Sequence, residues 1–279
     1  TGETMAIRPL AQPGEPALRW NWDTPLFMSP HDPKIIYAAG NKLFRSANRG
    51  LTWESVGPDL TSNGNREEVV TMGLKGSEVT IAKNDGIQAW PTIISFAESP
   101  KRPGLLYAGT DDGNVQISRD TGRSWTNITD KVTGLPKGIW ISEVVPSRFE
   151  EGTVYLTADG HRSNDFESYI FVSKDFGQTW QSAVANLKGE SVKTLTEDQK
   201  NPDVLYIGTE TGLFISLDRA KSWRRIKANL PTVRIDEITL HPRDNAMVLA
   251  THGRAIWILD HLEPIQEYAA AQAAATDTK

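Results

Sequence analysis

Four stretches decide the fold: Ser46-Ala-Asn48-Arg-Gly50-Leu-Thr52-Trp53, Ser118-Arg-Asp120-Thr-Gly122-Arg-Ser124-Trp125, Ser173-Lys-Asp175-Phe-Gly177-Gln-Thr179-Trp180 and Ser216-Leu-Asp218-Arg-Ala220-Lys-Ser222-Trp223. They share the pattern S-x-[DN]-x-[GA]-x-[ST]-W, with five constrained positions in eight. Hydroxyl, carboxyl and carboxamide side chains at this spacing cap backbone donors inside a tight turn. Glycine at the fifth position admits a positive φ at little cost. The tryptophan then packs back against a neighbouring sheet, and truncating such a buried indole costs about 3–5 kcal/mol. The acidic residue of each box is therefore read as turn chemistry.

Outward from each box the surroundings repeat. A strand-like run, a Gly-rich turn and a second run precede it: Ile35 to Gly40 with Leu43-Phe44, Leu105 to Thr110 with Val115 to Ile117, Val154 to Thr157 with Tyr169 to Val172, and Val204 to Thr209 with Leu213 to Ile215. β-Branched and aromatic residues bounded by Gly, Pro and Asn mark strands and hairpins. Before each pair lies another run ending at proline: Leu26 to Pro30, Ile93 to Pro100, Ile141 to Pro146 and Val192 to Pro202. A polar strand such as Trp223-Arg-Arg-Ile226 follows each box. Four strands per unit, repeated radially, make a propeller blade. The chain thus reads as all-β, a β-propeller of four-stranded antiparallel blades with about five blades present.

The fifth unit has three strands and no box: Ile235 to Pro242, Met247 to Thr251 and Ala255 to Leu259. Thr4 to Pro9 is a spare strand. Either that strand completes the last blade, removing an open sheet edge, or both ends are cut faces of a longer propeller. Successive box tryptophans lie 72, 55 and 43 residues apart. The extra length falls in Asp59–Ala89 and Gly160–Ser168, and insertions in repeat folds gather on one face, often the binding face. Residues 1–264 are assigned to the propeller, either closed by its own N-terminal strand or part of a longer one. Residues 265–279 form an Ala-rich tail with nothing large to bury, a linker or frayed helix.

Bulk properties narrow the partners. The formal charge of −5 is spread along the chain, and no basic stripe argues for nucleic acid or anionic lipid. No segment nears the roughly 18 apolar residues of a membrane-spanning helix, so direct membrane insertion is not expected. With no cysteine, disulfides and thiolate metal sites are ruled out. The opening Thr1-Gly2-Glu3-Thr4 has neither an initiator Met nor a signal-type apolar region, as expected of a processed or excised chain.

The four boxes resemble those of the Asp-box (bacterial neuraminidase) repeat superfamily, which holds sialidases, xyloglucanases, sortilin-type receptors and photosystem assembly propellers. Trp53 to Leu60, Gly109 to Asn114 and Ala250 to Asp260 are similar to large bacterial sortilin-like "glycosyl hydrolase" propeller proteins. The resemblance spans residues 20–262. It implies the fold and a periplasmic or extracellular setting, and it is nearly silent about chemistry.

For chemistry, a glycosidase needs two carboxylates flanking the scissile bond. Asp111, Asp112, Asp159, Asp165, Glu167 and Glu210 lie on inter-strand loops expected to share the rim opposite the boxes, and Asp111-Asp112 is the pair to test first. Trp22, Trp90 and Trp140 each precede an innermost strand and are candidate stacking platforms, or else core. His252 and Arg254 occupy a second-to-third strand turn where Arg254 would hold an anion. The motif usual near the start of sialidases is absent. None of the five histidines has ligand spacing, so no metal and no cofactor is expected. Asn48, Asp120, Asp175 and Asp218, with Trp53, Trp125, Trp180 and Trp223, are expected to be structural. Asn127-Ile-Thr129 is a glycosylation sequon. The leading functional expectation is a noncatalytic binding or scaffold propeller that recognises a protein, peptide or carbohydrate on its loop-rich face. A glycoside hydrolase using rim carboxylates and a subunit docked in a larger complex are the alternatives.

Overall fold

The structure, a computed structural model, describes residues 7–71, 73–81 and 89–277. The fold is a five-bladed β-propeller of antiparallel sheets. The chain divides into two compact units, Thr1–Asp130 with Pro136–Pro146, and Lys131–Leu135 with Ser147–Lys279.

In the first unit, blade one is β1 (Leu26–Met28), β2 (Ile36–Ala39), β3 (Leu43–Ser46) and β4 (Glu54–Ser55). An excursion follows, carrying a small hairpin of β5 (Val70–Thr71) and β6 (Leu74–Lys75). Blade two is β7 (Ile93–Glu98), β8 (Leu106–Thr110), β9 (Val115–Ser118) and β10 (Thr126–Asn127). Strand β11 (Trp140–Pro146) closes the unit and heads the order β11-β12-β13-β14. The second unit contains β12 (Val154–Asp159), β13 (Tyr169–Ser173) and β14 (Gln181–Ser182). Blade four is β15 (Val192–Glu197), β16 (Leu205–Thr209), β17 (Leu213–Ser216) and β18 (Arg224–Ile226). Blade five has three strands, β19 (Ile235–His241), β20 (Ala246–Thr251) and β21 (Ile256–Leu259), before helix α1 (Glu263–Asp277).

Burial follows the blade logic. Strands β7, β8, β12 and β16 are buried at every position, because both of their faces pack. The outermost β4, β10 and β14 are two exposed polar residues each. Glycine appears where a neighbouring blade comes close. A Cβ on Gly109 would meet Ile141 Cγ2 at 2.5 Å, and one on Gly208 would meet Ile235 O at 2.7 Å. The first unit packs around Tyr37, Leu43, Leu60, Ile93, Phe96 and Leu106. The second packs around Val204, Tyr206, Leu213, Ile235, Leu249 and Leu262.

The boxes repeat atom for atom. Asp120 Oδ1 accepts from Ser118 Oγ and Ser124 N, both at 2.9 Å, and Oδ2 accepts from Ser124 Oγ at 2.6 Å. Asp175 and Asp218 make the same set with their own boxes. Asn48 substitutes its carboxamide, accepting from Thr52 N and donating to Thr52 Oγ1. Trp125 Nε1 donates to Val56 O beyond blade one, and Trp223 Nε1 donates to Ala183 O beyond β14. Trp180 is buried and Trp53 half-buried. Trp223 is buried as well, and Trp125 is half-buried.

Two chain-end expectations meet the structure differently. Thr4–Ala6 lie outside the described residues. Ile7–Pro9 form no strand, and the Ile7 carbonyl accepts from Trp53 Nε1 at 2.5 Å beside the first box. The Ala-rich segment, expected to have nothing large to bury and to be a linker or frayed helix, is a docked helix. Its Ala269 is fully enclosed, and Gln266 bonds the buried Asp198, Asn245 and Asn201.

Candidate functional site

The turns after the second strand of each blade, together with the loops entering the innermost strands, carry the rim residues. In the first unit this rim is built around Asp111. Its Oδ1 accepts from Thr92 N at 2.7 Å, and Oδ2 accepts from Thr92 Oγ1 at 2.7 Å and Asn21 Nδ2 at 3.1 Å. Burial pushes the Asp111 carboxyl up to about 6, the Thr92 bonds oppose that rise, and the neighbouring Asp112 adds to it. Asp112 is itself engaged, accepting from Ser62 N at 2.6 Å and from Thr110 Oγ1. The pair singled out for acid–base chemistry therefore has both carboxylates tied into the loop framework.

Asn21 is the hinge between that framework and the surface. Besides Asp111 it reaches Thr92 Oγ1, its Oδ1 accepts from Asp23 N, and its carbonyl accepts from Thr24 Oγ1. The next residue, Trp22, stands 89% exposed. On this fixed loop, a large indole faces solvent. Trp90 is half-buried against Gly64, where a Cβ would meet its ring at 2.9 Å. Trp140, the first residue of β11, is half-buried as well. Of the three candidate platforms, only Trp22 presents an open face. Nearby, Arg19 anchors the excursion by donating to Pro91 O, Asp59 Oδ2, Thr61 Oγ1 and Asn63 Oδ1. Burial would raise the Asp59 carboxyl, but bonds from Thr61 and Asn41 and the Arg19 charge hold it below its ordinary value.

In the second unit the rim is a chain of alternating charges. Asp159 is buried and takes His161 Nδ1 at 2.6 Å, Ser191 Oγ at 3.0 Å and Lys193 Nζ. Burial opposes its ionisation, yet His161 and Lys193 hold its carboxyl far below the usual range. Lys193 Nζ and Arg234 Nη1 each lie 3.6 Å from Glu210 Oε1. Arg234 Nε bonds Asp236, whose other oxygen is 3.3 Å from His252 Nδ1. Arg254 is exposed, and its carbonyl accepts from Trp257 Nε1. Asp165 is a turn former that accepts from Tyr169 OH and Glu167 N, and Glu167 is exposed.

Sequence reasoning missed Asn21, Thr92, Lys193 and Arg234. Lys193 left one readable sign, a lone cation inside the strand Val192–Glu197, four of whose six residues are buried. Among the described residues no helix is long and apolar enough to cross a membrane.

Comparison with known proteins places this architecture. The Sortilin-Vps10 family model (Sortilin, neurotensin receptor 3) matches residues 168–268. An oligoxyloglucan-reducing end-specific xyloglucanase of Emericella nidulans is 27% identical over 173 residues, covering 58% of this chain and 21% of that protein. The GH74 xyloglucanase of Xanthomonas campestris superposes with a TM-score of 0.64 at 20% identity, over 85% of this chain and 36% of that one. The extracellular domain of a putative hybrid two-component system of B. thetaiotaomicron gives a TM-score of 0.55 at 15% identity, over 88% and 27%. The chain spans about a fifth of the curated relative's length and about a third of the solved xyloglucanase.

Proposed function

We propose that this chain, an Asp-box repeat β-propeller, is a noncatalytic carbohydrate-binding surface with the indole of Trp22 as its stacking platform. One observation carries the reading: Trp22 is 89% exposed while its neighbour Asn21 is tied to Thr92 and Asp111. Leaving an indole in water forfeits burial energy, and holding it on an ordered loop lowers the ordering cost of binding a flat apolar face. A pyranose ring has such a face. The names of the relatives point to xyloglucan as the first ligand to try. A periplasmic or extracellular setting belongs to the same reading and is supported by the extracellular domain among the similar folds.

The test is calorimetric titration with xyloglucan oligosaccharides and unbranched cello-oligosaccharides, in wild type and Trp22→Ala. Wild type is expected to bind at least one series, and the variant to lose at least tenfold in affinity with an unchanged melting temperature. A flat wild-type titration across neutral glycans overturns the proposal and leaves a protein or peptide ligand or a docked-subunit role. A glycoside hydrolase is the second reading, favoured by the raised Asp111 carboxyl. Its oxygens are already occupied by Thr92 and Asn21, which weighs against it. Release of new reducing ends by wild type, abolished in Asp111→Asn, would establish it.

A further inference from the structure

We propose that blade five of one copy of this chain docks on blade one of a second copy, Ile256 and Ile258 meeting Leu26 and Met28. The blades inside each unit show what such a contact needs. In the first unit, Tyr37 of β2 and Leu43 of β3 share a core with Phe96 of β7, and the Tyr37 and Phe96 rings lie 5.0 Å apart. In the second unit, Tyr206 of β16 and Leu213 and Ile215 of β17 share a core with Ile238 and Leu240 of β19. Both contacts follow one rule. The second and third strands of a blade offer one face, and the innermost strand of the next blade covers it with alternate residues.

Strand register extends that rule to two open faces. Ala250 pairs with Ile256 and Val248 with Ile258, as Gly208 pairs with Leu213 and Tyr206 with Ile215. Ile256 and Ile258 thus take the places of Leu213 and Ile215. Trp257 and Leu259 pack into the core of the second unit, so the alternating isoleucines point away from it. They stand 68% and 63% exposed, where Leu213 and Ile215 are buried. On blade one, Leu26 pairs with Ala38 and Met28 with Ile36, as Ile238 pairs with Leu249 and Leu240 with Met247. Leu26 and Met28 therefore hold the positions of Ile238 and Leu240. Phe27 between them packs into the core of the first unit, and both of its neighbours are exposed.

The chain thus carries both halves of one contact. Blade five presents the face that an innermost strand covers, and β1 is an innermost strand with apolar side chains at the covering positions. Large apolar side chains grouped on a sheet face mark an interaction surface, and burying them against each other removes their surface from water. Because the two faces differ, the contact is heterologous, and copies joined this way close into a ring or continue as a filament.

Sedimentation velocity on the full chain over a wide range of concentrations tests the docking. The mass is expected to rise with concentration to twice that of the monomer or more. Two double variants then address the faces separately, Leu26→Lys with Met28→Lys and Ile256→Lys with Ile258→Lys. All four side chains are exposed, so neither pair of changes removes a core residue. Each variant alone should remain a monomer. Mixed in equal amounts, the two should form a one-to-one dimer and stop there, because one intact pair of faces remains. A wild type that stays monomeric at every concentration overturns the docking, and that reading needs no variant to fold. Assembly that survives in either variant alone, or a mixture that stays monomeric beside an assembling wild type, overturns the pairing of these two faces.

Discussion

Asp111 accepts both the backbone N–H and the hydroxyl of Thr92, each at 2.7 Å, and is only 6% exposed. The loop entering β7 is thus fastened to the turn leaving β8 by a carboxylate whose charge is poorly solvated. The carboxyl stands near 6 in the fold against 3.8 outside it. A raised acid contributes stability that is fully present below the unfolded value and is lost as pH rises through the folded one. Wild type should therefore lose stability from this group between about pH 4 and 6, by on the order of 2–3 kcal/mol. Asp111→Asn cannot titrate. Urea unfolding at pH 4 and pH 7 should show the variant gaining on wild type by about that amount at the higher pH. An unchanged difference would mean that Asp111 is not strained by burial.

The boxes give a graded prediction. Trp223 is 3% exposed and donates to Ala183 O, while Trp53 is half-buried and donates to the Ile7 carbonyl. The cost of truncation grows with the buried surface removed and the cavity left behind. Trp223→Ala should cost about 3–5 kcal/mol, and Trp53→Ala roughly half that. Equal losses in denaturant midpoints would contradict a packing role that scales with burial.

Three boxes place glycine at the fifth position and the fourth places Ala220, at φ 63°. A side chain in the left-handed region costs about 1–2 kcal/mol. Part of that is offset because alanine restricts the unfolded chain and its methyl is buried. Ala220→Gly should then stabilise the protein by about 0.5–1 kcal/mol, read as a rise in melting temperature. A fall would show that the methyl contact outweighs the backbone strain.

The parts of this molecule that can be read from sequence are those whose chemistry closes within a few residues. Asp120 meets Ser118 and Ser124 two and four positions away, so the box, its turn and the strands flanking it are visible in the chain itself. The rim is different. Asp111 is recognisable as a rim acid, but its partners Thr92 and Asn21 lie 19 and 90 positions off, and Ser62, which engages Asp112, lies 50 off. Nothing local says whether such a carboxylate is free or occupied. The openness of Trp22 against the partial burial of Trp90 and Trp140 is likewise decided by the loops around them. Helix α1 escapes a sequence reading because its polar anchor is Gln266, bonded to Asp198 68 positions earlier, and its apolar contact comes from Ile265 and the small Ala269.

Glu98 and Glu197 are the last residues of β7 and β15, and the structure treats them unequally. Glu197 Oε1 accepts from Ser147 Oγ and Oε2 from Arg148 N, each at 2.7 Å, tying two strand ends together. Glu98 Oε1 accepts from Gly104 N, but its buried Oε2 has no partner among the described residues. The chain offers a reason. Ser147-Arg148 follows β11, and Ser29-Pro30 stands in the same place after β1. Proline has no N–H to give. Glu197→Gln would set an amide N–H against a backbone or hydroxyl donor, and an unmade buried bond costs about 1–3 kcal/mol. Glu98→Gln keeps the oxygen that Gly104 needs and replaces an oxygen that bonds no described residue. It should therefore fall within about 0.5 kcal/mol of wild type or stabilise it. Denaturant titration of the two variants side by side checks the contrast, and an equal cost for both would mean that Glu98 has a donor where Pro30 leaves none.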